Sequence, residues 1–116
     1  MQQTNQFRLE RQNNVTLLHI QGDITAQSEP VINEAYKKAD EQGAAQKIII
    51  QFEEDVYINS GGIAVLIQIL AQTQKKNQQI GIAGLSDHFK KIFNMVGISK
   101  FAGIYNTLED AIATMD

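Results

Sequence analysis

One serine in this chain is placed where its hydroxyl could take part in chemistry. Ser60 follows a buried-type apolar run and a short loop, and it precedes Gly61 and Gly62 at the predicted start of a helix. A helix N-terminus offers free N–H donors and the positive end of the helix dipole, so it favours a bound phosphate. Phosphorylation would add about −1.5 to −2 charges there. The pattern indicates a regulatory serine.

A structural interpretation of the same serine stands beside the regulatory one. If Ser60 immediately precedes the helix, its hydroxyl accepts from N–H groups of the first turn as an N-cap. Capping does not explain Gly61 and Gly62, because each glycine disfavours a helix by about 1 kcal/mol relative to alanine. We expect the two glycines to leave the backbone bare, so that another protein or a phosphate can approach closely.

The histidines and a run of acids are the other candidates for chemistry. His19 and His88 lack an obvious carboxylate partner, so we interpret both as surface polar residues. Glu53, Glu54 and Asp55 follow a buried strand, where ligands of α/β proteins gather, and acids can hold Mg²⁺. Neighbouring side chains in an extended loop point in different directions, so we expect solvated charges. We predict no catalytic residue, no metal site and no cofactor.

Composition excludes several classes of protein. The 116 residues are 43% hydrophobic and 20% charged, which predicts one globular domain over residues 1–116. The absence of cysteine excludes disulfides and thiol catalysis. A net charge of −3 disfavours nucleic-acid binding. No apolar run has the length of a membrane span, and residues 1–6 are polar, so we expect a cytoplasmic protein.

Strand patterns come first in the chain and then alternate with helices. Phe7–Arg11 and Val15–Gln21 flank the turn residues Asn13 and Asn14, which predicts an antiparallel hairpin. Lys47–Phe52 has the near-continuous apolar character of a strand buried on both faces. Further strands are predicted at Ile80–Ala83 and Gly103–Tyr105.

Four helices complete the predicted domain. Their predicted extents are Ser28 to Gly43, with Ser28 as the cap; Gly61 to about Gln74; Ser86 to Gly97; and Thr107 to Met115. The predicted buried face of the third consists of Phe89, Ile92, Phe93 and Val96. The order predicts an α/β fold with a mixed sheet of about four to five strands: an N-terminal antiparallel hairpin followed by βαβ units.

Several segments together carry a resemblance to a known family. They are Gly22–Thr25, Ile48–Ile50, Tyr57–Ile63, Gly84–Ser86 and Phe89–Ile98. Over nearly the whole chain this combination resembles the STAS domain family, and specifically its bacterial anti-sigma factor antagonists.

The resemblance implies a regulatory binding protein that is not an enzyme, with helices mainly on one face of the sheet. Antagonists of this family bind an anti-sigma factor that is a serine kinase and displace the sigma factor. The kinase phosphorylates the serine matching Ser60, and a serine phosphatase reverses the modification. The implied partner-binding residues are Gly22, Asp23, Ile24, Thr25, Asn59, Ser60, Gly61, Gly62 and Ile63.

Two positions depart from the family pattern. Asn59 stands where an aspartate usually precedes the phosphorylated serine, and Thr25 stands where the first motif usually has an acid. These neutral residues leave open a second hypothesis, a constitutive interaction module that is not phosphorylated. A third hypothesis is a nucleotide-binding domain. It is the weaker one because no phosphate-binding lysine accompanies the loop at Ser60.

Overall fold

Five strands form one sheet in which the spatial order equals the chain order. The computed structural model describes residues 5–41, 47–53 and 55–115. The strands are β1 (Gln6–Gln12), β2 (Val15–Gln21), β3 (Lys47–Phe52), β4 (Gln79–Ala83) and β5 (Gly103–Tyr105). β1 pairs antiparallel with β2, and all later neighbours are parallel. The predicted α/β fold, with its mixed sheet and N-terminal hairpin, is confirmed.

The helices lie mainly on one face of the sheet, as the resemblance implied. They are α1 (Glu29–Glu41), α2 (Ser60–Lys75), α3 (Asp87–Met95) and α4 (Leu108–Met115), and short 3-10 turns span Ala26–Ser28 and Ile98–Lys100. Each parallel connection moves one strand in the same direction, and right-handed crossovers then put α1, α2 and α3 on the same side. α4 follows the last strand and covers the other side.

Alternation along the strands supplies a core to each face. On β3, Ile48 and Ile50 pack beneath the first three helices, while Ile49 faces the α4 side. All three are at most 4% exposed, so the prediction of a strand buried on both faces is confirmed. On the α4 side, a Cβ added to Gly81 would lie 2.5 Å from Sδ of Met115, so the helix sits directly on the strand backbone.

Helix caps follow the sequence signals at α3 and α4. Ser86 accepts from the Phe89 N–H and begins α3, and Thr107 accepts from the Asp110 N–H at the start of α4. Both capping residues were predicted. The predicted helix end at Gly43 lies outside the described residues.

The predicted cap at Ser28 is wrong. Thr25 caps instead, because its Oγ1 accepts from the Gln27 N–H at the start of a 3-10 turn that leads into α1. The Ser28 hydroxyl points back into that turn. It accepts from the Thr25 N–H at 3.0 Å and donates to the Asp23 carbonyl at 3.3 Å. This closed pair of contacts fixes the chain just before α1.

The predicted burial of Val96 is also wrong. Val96 is the C-cap of α3 and is 47% exposed. The chain turns away at Gly97, whose φ of 85° lies in the left-handed region that glycine favours. Ile98, which is fully buried, then fills the core position that helical periodicity had assigned to Val96.

A polar network holds α1 against α2 at the end of the helices away from Ser60. The Lys76 ammonium donates to Oδ2 of Asp40 at 2.5 Å, and Gln78 donates to Oδ1 at 2.8 Å. Gln78 also accepts from the Tyr36 hydroxyl at 2.5 Å. Hydrogen bonding from Lys76 holds the pKa of Asp40 below its ordinary value. Among the described residues, no helix is long and apolar enough to cross a membrane.

We expect Asp40→Asn to lower the melting temperature at neutral pH, because the network loses its charged acceptor. The depressed pKa means that Asp40 stabilises the fold above its unfolded-state pKa, and that this stabilisation is lost as pH falls through the folded-state pKa. The difference from wild type should therefore shrink on acidification in thermal unfolding monitored by circular dichroism. Glu34→Gln, an exposed control on the same helix, should show no such difference at any pH. Equal melting behaviour of the two variants would contradict the stabilising role of Asp40.

Candidate functional site

The two segments singled out in the sequence lie side by side at one end of the sheet. Ile24 and Ile58 form an isolated parallel bridge beyond the ends of β2 and β3. The Ile24 N–H donates to the Tyr57 carbonyl at 2.9 Å, and the Ile24 carbonyl accepts from the Asn59 N–H at 3.1 Å. We call residues 22–25 and 57–63 the paired loops.

Two exposed carboxylates accept hydrogen bonds from the backbone of the paired loops. Glu53 Oε1 accepts from the Gly22 N–H at 2.7 Å, and Asp23 Oδ1 accepts from the Tyr57 N–H at 3.3 Å. Asn5 donates its amide to the Asp23 carbonyl at 2.9 Å. Glu53 is exposed, as expected for a solvated charge, and its carboxylate also tethers the turn after β2.

Asn59, and not Ser60, is the N-cap of α2. Its backbone is extended, and its Oδ1 accepts from the Gly62 N–H at 2.9 Å. The interpretation of Ser60 as a cap is wrong because the helix begins one residue earlier than the sequence suggested, which makes Ser60 its first residue. The amide of Asn59 performs the capping, so the Ser60 hydroxyl is not needed for it.

The glycine pair has a packing reason inside the molecule. A Cβ added to Gly62 would lie 2.2 Å from the Ile24 carbonyl oxygen, and one added to Gly61 would lie 2.9 Å from Cβ of Ala26. The space beside both glycines is therefore occupied by this chain, and our expectation that it receives another molecule is corrected. The glycines let the first turn of α2 lie directly against the turn after β2.

Exposure divides the predicted partner-binding residues into two groups. Ser60 and Asp23 are exposed, while Gly22, Thr25, Asn59, Gly61 and Ile63 are half-buried. Ile24 and Gly62 are buried. The buried pair joins the loops from beneath, and the other seven residues form the accessible surface around the Ser60 hydroxyl.

The start of α2 is electrostatically suited to an anion. The helix has 16 residues and no acid in its first turn, and Lys75 lies in its last turn. Asn59 Oδ1 accepts from the Gly62 N–H. The N–H groups of Ser60 and Gly61 are therefore the donors that helix geometry leaves without an intrahelical acceptor. A phosphate on Ser60 would lie beside these donors and the positive end of the dipole.

Nothing in the described part of the chain equips Ser60 as a nucleophile. No side chain among residues 5–41, 47–53 and 55–115 is hydrogen-bonded to its hydroxyl, so no general base is in place. His19 lies 3.2 Å from Oε1 of Glu10, and His88 makes an edge contact with Phe89. The same described residues contain no group of three His, Cys, Asp or Glu side chains that could hold a metal ion.

Tyr57 is a surface residue that was not among the predicted site residues. Its ring is 55% exposed and meets Phe89 edge-on, with 6.1 Å between centroids. A signal for it was present, since Val56 and Ile58 are the apolar residues on either side and both are buried. In an extended segment the residue between two buried neighbours points outward.

Comparison with known proteins places this geometry in context. The family model for the STAS domain matches residues 6–111. An anti-sigma factor antagonist from Mycobacterium paratuberculosis is similar in structure, with a TM-score of 0.80 at 17% identity, covering 97% of this chain and 94% of that one. A putative anti-sigma factor antagonist from Thermotoga maritima has a TM-score of 0.75 at 14% identity, covering 94% and 93%.

A third similar structure is the Bacillus cell fate determinant SpoIIAA in its phosphorylated form. Its TM-score is 0.63 at 18% identity, and the match covers 94% of this chain and 98% of that one. At these identities the three structures show a shared fold. The predicted family resemblance and the predicted architecture are both confirmed.

Stability measurements should distinguish the capping role of Asn59 from the role of Ser60. Asn59→Ala should lower the free energy of unfolding by about 1 kcal/mol, because the Gly62 N–H loses its acceptor. Ser60→Ala should change it by less than about 0.5 kcal/mol, as expected for an exposed side chain outside the cap. Urea unfolding of both variants gives the comparison, and a larger loss in Ser60→Ala would restore the serine as the cap.

The sign of the stability change in Gly62→Ala tests the close approach at the start of α2. Helix propensity alone predicts that Gly62→Ala stabilises the protein by about 1 kcal/mol. We expect destabilisation by about 1–3 kcal/mol, because the new methyl group overlaps the Ile24 carbonyl. Ala64→Gly, at an exposed position in the same helix, calibrates the propensity in the same urea series. A stabilised Gly62→Ala would contradict the contact.

Proposed function

This chain belongs to the STAS domain family, and on that premise we propose that it is an anti-sigma factor antagonist switched by phosphorylation of Ser60. In this proposal it binds an anti-sigma factor that is a serine kinase, in the cytoplasm, and thereby affects transcription. The kinase phosphorylates Ser60 and a serine phosphatase removes the phosphate. The domain contributes binding and an acceptor hydroxyl, and it performs no catalysis itself.

The observation that carries the proposal is the exposed Ser60 hydroxyl at the first position of α2. Because Asn59 caps the helix, modification of Ser60 removes no hydrogen bond that the fold uses. A kinase can therefore reach the hydroxyl without unfolding the first turn. The proposed acceptor is thus a different residue from the one that caps the helix, which supports reversible modification at Ser60.

Local charge gives the phosphate a different effect on the fold and on the partner. The helix dipole and the free N–H donors stabilise a negative group at this position by about 0.3–1 kcal/mol. Asp23 and Glu53 are exposed carboxylates of the same region, and a phosphate adds charge of the same sign beside them. The modified chain therefore stays folded while its surface becomes more negative, which alters its affinity for a partner.

The neutral residues at positions 59 and 25 fit this proposal. Asn59 caps as well as an aspartate does, and without placing a carboxylate next to the phosphate. Thr25 caps the following 3-10 turn through its hydroxyl. Both departures from the family pattern thus keep the local structure and reduce the repulsion that a phosphate on Ser60 would meet.

A similar structure supports a phosphorylated state of this fold. The Bacillus protein SpoIIAA has been solved both in a phosphorylated form and in an unphosphorylated form described as an anti-sigma factor antagonist. The same fold therefore accommodates both states in that protein. We extend this property to the present chain on the strength of the geometry at Ser60.

Intact-mass measurement tests the modification directly. Incubation with the cognate anti-sigma factor kinase and ATP should add one phosphoryl group to the wild-type chain and none to Ser60→Ala. Asn59→Ala should still be modified, since its hydroxyl acceptor is intact. Phosphorylation that persists in Ser60→Ala would contradict the assignment of the acceptor, and treatment with a serine phosphatase should return the wild-type mass.

Asn59 and Thr25 also favour a second candidate function, a constitutive interaction module in a signalling assembly. Both positions lack the acids usual in the family, so the surface can serve for binding without a switch. In that case Ser60→Asp would bind the kinase with the affinity of wild type. The switched antagonist instead requires a clear loss of affinity in Ser60→Asp.

A further inference from the structure

Large apolar side chains are exposed at few places in the described part of the chain. They are Tyr57, Met95 and Val96, at 55%, 83% and 47% exposure. A single exposed apolar residue is ordinary, whereas a contiguous group of them marks an interaction surface.

A line of apolar side chains on α3 connects them. The Tyr57 ring contacts Phe89 edge-on, and Phe89 itself is buried, at 7% exposure. Ile92 lies three residues beyond Phe89, and Met95 and Val96 lie three and four residues beyond Ile92, so successive members are neighbours on the helix surface. Ile92 is half-buried and packs against the core beneath. We call these five residues the apolar strip; its helical part runs about 9 Å along α3.

The apolar strip begins at the paired loops. Tyr57 donates its N–H to Asp23, and it stands three residues before Ser60 in the same segment. Its ring extends the surface around Ser60 onto α3. An exposed tyrosine with a well-packed neighbour is the kind of side chain that dominates binding energy in protein interfaces. The strip and the paired loops are thus parts of one continuous surface.

Charge along the α3 part of the strip is opposite to that of the chain as a whole, whereas the Tyr57 end lies beside Asp23. Asp87 is paired with Lys90 at 3.0 Å. Lys91 is exposed and acts electrostatically on the same Asp87, and the exposed Lys100 forms no ion pair with an acid within residues 5–41, 47–53 and 55–115. Residues 87–100 contain three lysines and one aspartate, a net charge of +2, in a chain of net charge −3. The complementary face of a partner is apolar and flanked by carboxylates.

We propose that the apolar strip, which meets the paired loops at Tyr57, is a second docking element for the anti-sigma factor kinase beside the Ser60 switch. This inference rests on the proposed function, and it assigns to the kinase an apolar groove with an acidic rim. The strip supplies affinity through Tyr57 and Met95, while the paired loops supply the dependence on phosphorylation. Because the strip does not include Ser60, part of the affinity persists in the phosphorylated chain.

Substitutions on α3 test the strip with little risk to the fold. The probe is the recombinant kinase that phosphorylates Ser60, with Kd measured by calorimetry. Met95→Glu should weaken binding at least about ten-fold, and Met95→Lys should weaken it less because it keeps the basic character. Thr114→Glu, exposed on the opposite face of the sheet, is the control and should stay within about two-fold of wild type. Equal melting temperatures establish that each variant is folded.

Tyr57→Ala provides a second variant with the same expectation of about a ten-fold loss. If Met95→Glu binds as tightly as Thr114→Glu, the strip is not a docking element and the inference is overturned, while the proposed function stands. This holds even if Tyr57→Ala binds more weakly, because Tyr57 belongs to the paired loops as well. If the wild-type chain itself does not bind the kinase, the proposed function fails, and the kinase is also not the partner that docks on the strip. If sedimentation shows a wild-type dimer that Met95→Glu dissociates, a second copy covers the strip and the inference is also overturned.

Discussion

The close approach of the turn after β2 to the first turn of α2 is the constraint on which the site depends. The Ile24 backbone accepts from Asn59 and donates to Tyr57, and the missing side chain of Gly62 leaves room for its carbonyl. Each of these contacts fixes the position of the other segment. As a result the residues around Ser60 have a defined arrangement, although they come from two loops more than thirty residues apart in the chain.

Most of the fold follows from patterns that are visible in the sequence. The hairpin, the buried strand at Ile48–Ile50 and the caps at Ser86 and Thr107 are local signals, and the structure agrees with each. The family resemblance depended on motifs at fixed separations and is equally confirmed. The exposure of Val96 could not be predicted from helical periodicity, because the chain turns away at Gly97 and leaves Val96 at the surface.

The errors at the site have two physical origins. Whether Asn59 or Ser60 caps α2 depends on one residue of helix register, and both side chains can cap. The reason for Gly61 and Gly62 lies in their contacts with Ala26 and Ile24, which are far away in sequence. Long-range contacts of this kind are not encoded in local propensity. Proximity of the two loops was predicted only through the family resemblance.

The corrected cap makes the proposed switch physically simpler. With the helix end stabilised by Asn59, the state of the Ser60 hydroxyl affects the surface and leaves the first turn in place. The direct measurement is a comparison of stoichiometrically phosphorylated and unmodified protein, with melting temperature and kinase affinity measured on the same samples. The account predicts a melting temperature that is unchanged or higher, together with an affinity that is at least about ten-fold lower. Equal affinities, or a phosphorylated chain that melts markedly earlier, would contradict it.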